Sequence, residues 1–203
     1  MKGSKVDLIL ASASPRRRDL LAGLRARFHV VPSSVSEAIL PGETPQAHVS
    51  RLAIAKATDV SQRILDVWVL GADTIVLIDG QILGKPRDQD EARTMLTMLA
   101  GRTHEVFTGY AIVHARYPEL KRVRHVASEV HIRELSTQEI ADYVDSGEPM
   151  DKAGAYAIQG VGSGIVETVS GSYTNVVGLP LCEVARDLKE LGIFDFLRAN
   201  RKP

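Results

Sequence analysis

Short apolar runs alternate along this chain with stretches in which apolar residues recur every three or four positions, the pattern of strands interleaved with helices. Val6 to Leu10 reads as a buried strand, and Leu20, Leu21 and Leu24 give the next segment a helical stripe that opens at Pro15. A second strand is expected ahead of Ser33. After Pro45, the stripe Val49, Leu52, Ala53, Ala57 and Val60 marks a longer helix, and Lys56 lies on that same stripe. Val67 to Asp73 reads as another buried strand, continued by Thr74 to Ile78 up to a hairpin turn at Asp79 and Gly80, which puts Asp73 at a strand end or bend. Asp88 with Glu91, and Ser136 with Glu139, are helix-start pairs preceding the stripes Ala92, Met95, Leu96, Leu99 and Ile140, Tyr143, Val144. Between these helices, Glu105 to Val113 and Val123 to Ile132 are rich in β-branched residues and are expected to pair as antiparallel strands across Tyr117 and Pro118. Gly147 to Gly178 is rich in glycine, which fits either close backbone approach to something or plain hairpin turns. Leu181, Val184, Ala185, Leu188 and Leu191 complete the chain with a packed helix. Parallel-capable and hairpin strands together imply an α/β protein with a mixed sheet.

Composition narrows the function classes. At 203 residues the chain can bury a real core as one domain over 1–203, with room for two lobes. Lysine plus arginine equals aspartate plus glutamate, 25 of each, so no large single-sign field suits bulk nucleic acid or an anionic membrane, and the basic residues must act locally. Cys182 is the only cysteine, which excludes an internal disulfide and a cysteine-rich zinc site and fits a reducing, cytoplasmic setting. No apolar stretch resembles a signal peptide or approaches the roughly 20 residues of a membrane span.

The chemistry concentrates in a few places. Ser12-Ala13-Ser14-Pro15-Arg16-Arg17-Arg18 joins the first strand to the first helix. Pro15 suits the first helical position, Ser12 or Ser14 can cap it, and the arginines add fork-shaped donors at the positive end of the helix dipole. That combination suits phosphate oxygens; a capped helix with a solvated basic face is the alternative. Lys56 on an inward stripe implies a carboxylate or phosphate partner unless it snorkels past the helix end. Lys85 and Lys152 sit in turn-rich loops beside Gly84, Pro86 and Gly154, where backbone geometry can aim a side chain or simply expose it. Asp73 either caps a turn or projects to bind a cation or activate water, and Glu37 could be its partner, since two carboxylates plus phosphate oxygens suit Mg²⁺. The histidines show no tight metal-ligand spacing, and neither a P-loop nor a dinucleotide fingerprint occurs.

Read together, A-S-A-S-P-R-R-R-D-L-L at 11 to 21, L-G-A-D-T-I-V at 70 to 76, L-G-K-P at 83 to 86, S-G-E-P-M-D-K-A-G-A-Y-A-I-Q-G at 146 to 160 and N-V-V-G-L-P-L at 175 to 181 resemble the Maf family of nucleoside triphosphate pyrophosphatases. The D-K-A-G-A-Y-A-I-Q-G segment is similar to the branch that hydrolyses dTTP and UTP. The resemblance implies an elongated mixed sheet flanked by helices, with two lobes around a central cleft, related to the inosine triphosphate pyrophosphatases and usually homodimeric. It implies that Asp73 is the proton acceptor, with Lys56 and Lys85 also catalytic. It further implies that Ser12, Arg16, Arg17, Glu37, Lys56, Lys85 and Lys152 line the phosphate and metal site, and that Arg16, Thr74 and Gln159 set base preference. Glu37 and Asp73 would hold a divalent cation, Mg²⁺ or Mn²⁺. Ser36 departs from the pattern, because many relatives carry a second carboxylate there, and Arg18 is not carried over.

These residue types suit attack of water at the α-phosphorus, with lysines, arginines and a cation neutralising the phosphate oxygens. The expected partner is a nucleoside triphosphate, not a stable nucleic acid or a membrane. Two rival classes are a non-hydrolytic nucleotide or nucleic-acid binding regulator of cell division, and a phosphatase of small phosphoesters.

Overall fold

The computed structural model describes residues 8–199, so Val6 and Asp7 of the expected first strand lie outside the described residues. Strands β1 (Leu8–Leu10), β2 (Phe28–Val30), β3 (Trp68–Ile78), β4 (Gln81–Leu83), β5 (Thr103–His114), β6 (Arg122–Ile132) and β7 (Val166–Ser170) form one sheet in the order β2-β1-β3-β5-β6-β7, with β4 on β3. It is mixed, as the sequence implies. β1 runs parallel to both β2 and β3, whereas β4 lies antiparallel to β3 and β7 antiparallel to β6. The helices are α1 (Pro15–Gly23), α2 (Pro45–Arg63), α3 (Gln89–Leu99), α4 (Thr137–Asp145), α5 (Tyr173–Val177), α6 (Leu181–Glu190) and α7 (Phe196–Ala199). No helix among the described residues is long and apolar enough to cross a membrane.

The expected helix starts are present. Ser14 caps α1 with Pro15 in its first turn, Asp88 caps α3, and Ser136 with Glu139 forms a reciprocal capping box on α4. The Asp79-Gly80 hairpin also forms, both residues taking positive φ, 50° and 76°, as a two-residue turn between twisted strands requires. One expectation changes. Asp73 is neither at a strand end nor at a bend, because the β-branched run after it extends β3 without interruption to Ile78.

The chain divides into two compact units. In the first, residues 8–73, 109–125 and 178–199, strand alternation sorts the side chains into two layers. Leu8, Leu10, Leu70, Ala72, Tyr110 and Ile112 pack with Leu21 of α1 and with Val184 and Leu188 of α6. Ile9, Ala11, Val69, Ala111 and Val113 pack with Ala53, Ala57 and Val60 of α2. Asp187, fully buried on α6, accepts from the Tyr110 hydroxyl at 2.8 Å and from the Arg124 guanidinium at 2.8 to 3.2 Å, so its charge is met on both oxygens.

The second unit, residues 74–108 and 126–177, buries Val76, Ile78, Leu83, Met95, Leu96, Leu99, Val106, Val130, Ile140 and Tyr143 in one core. Its glycine-rich segment uses its glycines both ways: Gly147, Gly154, Gly160 and Gly171 take the positive φ of turns, and some of them also let the chain approach itself closely. A Cβ on Gly154 would lie 2.8 Å from the Val76 side chain, and one on Gly162 would lie 2.2 Å from the Ala157 carbonyl oxygen. Much of this stretch forms short 3-10 turns at Glu148–Asp151, Ala153–Ala155 and Gly160–Gly164.

Two glycines set how closely α2 meets the sheet. A Cβ on Gly71 of β3 would stand 2.4 Å from the Ala53 carbonyl oxygen, and one on Gly109 of β5 would stand 2.5 Å from that of Val49. Both neighbours are helix backbone, which cannot yield. Gly71→Ala is therefore expected to cost roughly 1–3 kcal/mol, read as a lower urea midpoint. Gly23→Ala on α1, with no atom within 4 Å of the added Cβ, is the control and should be neutral or stabilising.

Candidate active site

The first unit gathers a charged cluster around Asp73. Val69, Gly71 and Asp73 alternate onto one face of β3, the face that α2 covers, so the strand period turns the carboxylate toward the helix. Lys56 lies on the buried stripe of α2 and is only 5% exposed. Its ammonium donates to Asp73 Oδ1 at 2.7 Å and to Glu37 Oε1 at 2.6 Å. The lysine does not snorkel; an inward cation meets two carboxylates. Asp73 is buried, whereas the Glu37 side chain is 46% exposed, so the cluster is closed at one end and open at the other.

His48 stands two turns before Lys56 on α2 and is 2% exposed. Its Nε2 lies 3.9 Å from Asp73 Oδ2, and its Nδ1 lies 2.9 Å from Glu43 Oε2. A carboxylate can only accept, so the Nδ1 position carries the hydrogen and Nε2 is the edge turned to Asp73. Glu43 is fixed in turn by Arg51, whose Nε and Nη2 fork onto its two oxygens at 2.6 and 2.8 Å. The Arg51 hydrogen bond, with further hydrogen bonds from His48 and the Leu40 backbone, outweighs desolvation and brings the Glu43 carboxyl down to about 2. None of Glu43, His48 and Arg51 was among the residues expected from sequence. The sequence carries a signal for the histidine: His48, Leu52 and Lys56 share one helix face at four-residue spacing.

The Ser-Pro-Arg turn enters the same unit. Arg17 is buried and donates to the Gly178 carbonyl at 2.8 Å, to the Ala72 carbonyl at 2.8 Å and to Ser12 Oγ at 3.3 Å. Ser12 Oγ also accepts from the Ser14 N–H at 3.2 Å. Arg17 thus ties the turn to the residue before Asp73 on β3. Burial lowers its pKa, the Asp73 and Glu37 carboxylates oppose this, and Arg16 adds to the lowering. Arg16 is half-buried and Arg18 is exposed, pairing with Asp19 at 3.0 Å.

The first unit therefore brings together Ser12, Arg16, Arg17, Glu37, Lys56 and Asp73 of the expected residues, while Thr74, Lys85, Lys152 and Gln159 belong to the second. There the Gly154 N–H donates to the Gly84 carbonyl at 3.0 Å, which sets the Lys85 and Lys152 loops side by side. The Lys85 side chain is exposed. Lys152 Nζ donates to the Glu148 carbonyl at 2.6 Å and to Asp151 Oδ1 at 2.5 Å. Thr108 donates to the Asn175 carbonyl at 3.0 Å, so the 2.9 Å contact between the Thr74 and Thr108 hydroxyls has Thr74 as donor. Gln159 is exposed immediately before the Gly160–Gly164 turn.

Glu37 and Asp73 also answer whether a divalent cation could be held here. Both offer hard carboxylate oxygens to one point, which the Lys56 ammonium occupies in this structure, and among the described residues no group of three or more His, Cys, Asp or Glu stands together to hold a metal ion. Two carboxylates suit an ion such as Mg²⁺ that keeps several waters and takes further ligands from phosphate.

A family model described as Maf-like protein matches residues 7–191. A Hahella chejuensis protein named dTTP/UTP pyrophosphatase is 51% identical over 189 residues, 92% of each chain. A protein of the same name from Syntrophotalea carbinolica is 48% identical over 196 residues, 96% of this chain and 89% of that one. Among solved structures, the Staphylococcus aureus Ham1 protein aligns with 78% of this chain and 79% of its own at a TM-score of 0.47 and 13% identity.

The Glu43 pairing has a pH signature. Its folded pKa of about 2 lies below the ordinary 4.5, so its contribution to stability is complete above 4.5 and is lost as pH falls toward 2. Glu43→Gln is expected to be less stable than the parent at pH 7, with the gap closing across that acid window in urea unfolding at stepped pH. A gap that stays constant to pH 2 would show that the carboxylate charge contributes nothing.

Proposed function

The chain belongs to the Maf-like protein family, and from that premise we propose that it is a nucleoside triphosphate pyrophosphatase converting dTTP and UTP to the monophosphate and pyrophosphate. The observation that carries the reading at the level of chemistry is the buried carboxylate of Asp73, held by Lys56 beside the Ser12 to Arg17 turn. The relatives named above, similar over nearly their whole length, support the substrate class.

The triphosphate repels an incoming nucleophile until its oxygens meet positive charge, which Arg16 and Lys56 of the first unit would supply, and for which the family resemblance also implies Lys85 and Lys152. Arg17, which donates to the Gly178 and Ala72 carbonyls and to Ser12 Oγ, holds the turn in register with β3. A divalent cation held by Glu37 and Asp73 would add charge neutralisation and lower the pKa of a bound water. Asp73 accepts the proton of the attacking water; the water oxygen bonds to the α-phosphorus, and the α–β bridging bond breaks to release pyrophosphate. With its own hydrogen given to Thr108, Thr74 can offer a ligand only lone pairs, a match for the N–H that uracil and thymine share and cytosine lacks. Gln159 carries both a donor and an acceptor for the same edge.

Hydrolysis in ¹⁸O-water tests the bond that breaks. Label is expected in the monophosphate, and label in pyrophosphate, or release of orthophosphate and diphosphate, would exclude attack at the α-phosphorus. A panel of nucleoside triphosphates with Mg²⁺ or Mn²⁺ should rank dTTP and UTP first. Asp73→Asn should keep the fold and lose on the order of 10²–10⁴ in turnover. A non-hydrolytic regulator would instead bind nucleotide in EDTA and form no product when metal is restored.

A further inference from the structure

The point at which Glu37 and Asp73 converge already has a cation on it. Lys56 Nζ lies 2.6 Å from one carboxylate and 2.7 Å from the other, on a side chain that is 7% exposed. The neighbouring carboxylates are fully countered without any ion from solution. Lys56, Arg17 and Arg51 stand against Glu37, Asp73 and Glu43, with Arg16 adding further positive charge nearby. A bare divalent cation joining this cluster would have to displace a buried ammonium from its partners or sit against it, and either is unfavourable where little solvent screens the repulsion. A triphosphate changes the balance. Its oxygens bring negative charge with the metal and give the ammonium new acceptors, so Lys56 can release a carboxylate without becoming unpaired.

We propose that Lys56 is the resident counter-cation of the Glu37 and Asp73 pair and that it excludes free divalent metal from the protein until a nucleotide arrives. The metal then enters with the triphosphate rather than waiting in the site. This rests on the pyrophosphatase reading above for the identity of the nucleotide and the metal. The open end of the cluster at Glu37, 46% exposed, is the side on which exchange takes place.

The test is retention of radiolabelled Mn²⁺ by the full chain on an ultrafiltration membrane that passes nucleotide, with and without α,β-methylene-UTP, whose bridge does not hydrolyse. The wild-type protein is expected to retain Mn²⁺ only when the analogue is present. Lys56→Met and Lys56→Gln are both expected to retain it without analogue, at least about tenfold more tightly than wild type. The glutamine variant keeps a donor toward Asp73 in case the methionine variant fails to fold, and the wild-type comparison needs neither. Retention by nucleotide-free wild type as strong as that of the variants, or no gain in either folded variant, overturns the proposal while leaving the enzymatic reading intact. If the analogue is retained and Mn²⁺ never is, the metal part of that reading fails, and the proposal with it. If neither is retained by wild type, the nucleotide reading itself fails.

Discussion

The contact between Lys56 and Asp73 is the constraint around which the first unit is arranged. A carboxylate in the interior of a strand and an ammonium on the inner face of a helix are each costly to bury alone, and each is tolerable only with the other at hydrogen-bond distance. That distance is available because Gly71 and Gly109 let the backbone of α2 lie nearly against β3 and β5. A larger residue at either position would lift the helix and pull the ammonium from its partner. A hydrophobic pair would serve packing alone as well or better, which is why a buried pair of this kind points to chemistry rather than to stability.

From that contact the polarity spreads outward in an ordered string. Arg51 holds Glu43, Glu43 fixes which nitrogen of His48 carries the hydrogen, and His48 turns its other edge to Asp73. On the far side Lys56 reaches Glu37, the member of the string that is nearly half exposed. Arg17 joins the Ser-Pro-Arg turn to the same strand through the Ala72 carbonyl, so the turn and the strand that carries the carboxylate are held by one guanidinium. A group that would otherwise have been assigned simply to phosphate binding is, in large part, the fastening that gives the other groups their places.

The legible part of this molecule was local. Pro15 after Ser14, the Ser136 and Glu139 box, the Asp79-Gly80 turn and the alternating and helical stripes state their structures within a few residues, because capping, turn and periodicity effects act over that range. Lys56 also declared itself, as a charge on an apolar stripe that must meet an opposite charge. The sequence did not name that partner uniquely; the Glu43, His48 and Arg51 contacts are local to the start of α2, but that His48 also faces Asp73, 25 positions away, is settled only when α2 docks on the sheet.

Sequence by itself determined the residue types, the caps, the mixed α/β character and the family, through motifs spread in order over nearly the whole chain. Tertiary structure decided that Asp73 stands in the middle of a strand and not at its end, that the glycine-rich segment serves turns and the chain's own close approach, and that Arg17 donates to the Gly178 and Ala72 carbonyls and to Ser12 Oγ. The physical reason is the same in each case. Burial and hydrogen bonding are satisfied by whichever groups the packed backbone brings within about 3 Å, and that selection is made by the docking of helices on the sheet, over distances that no local pattern of residues encodes.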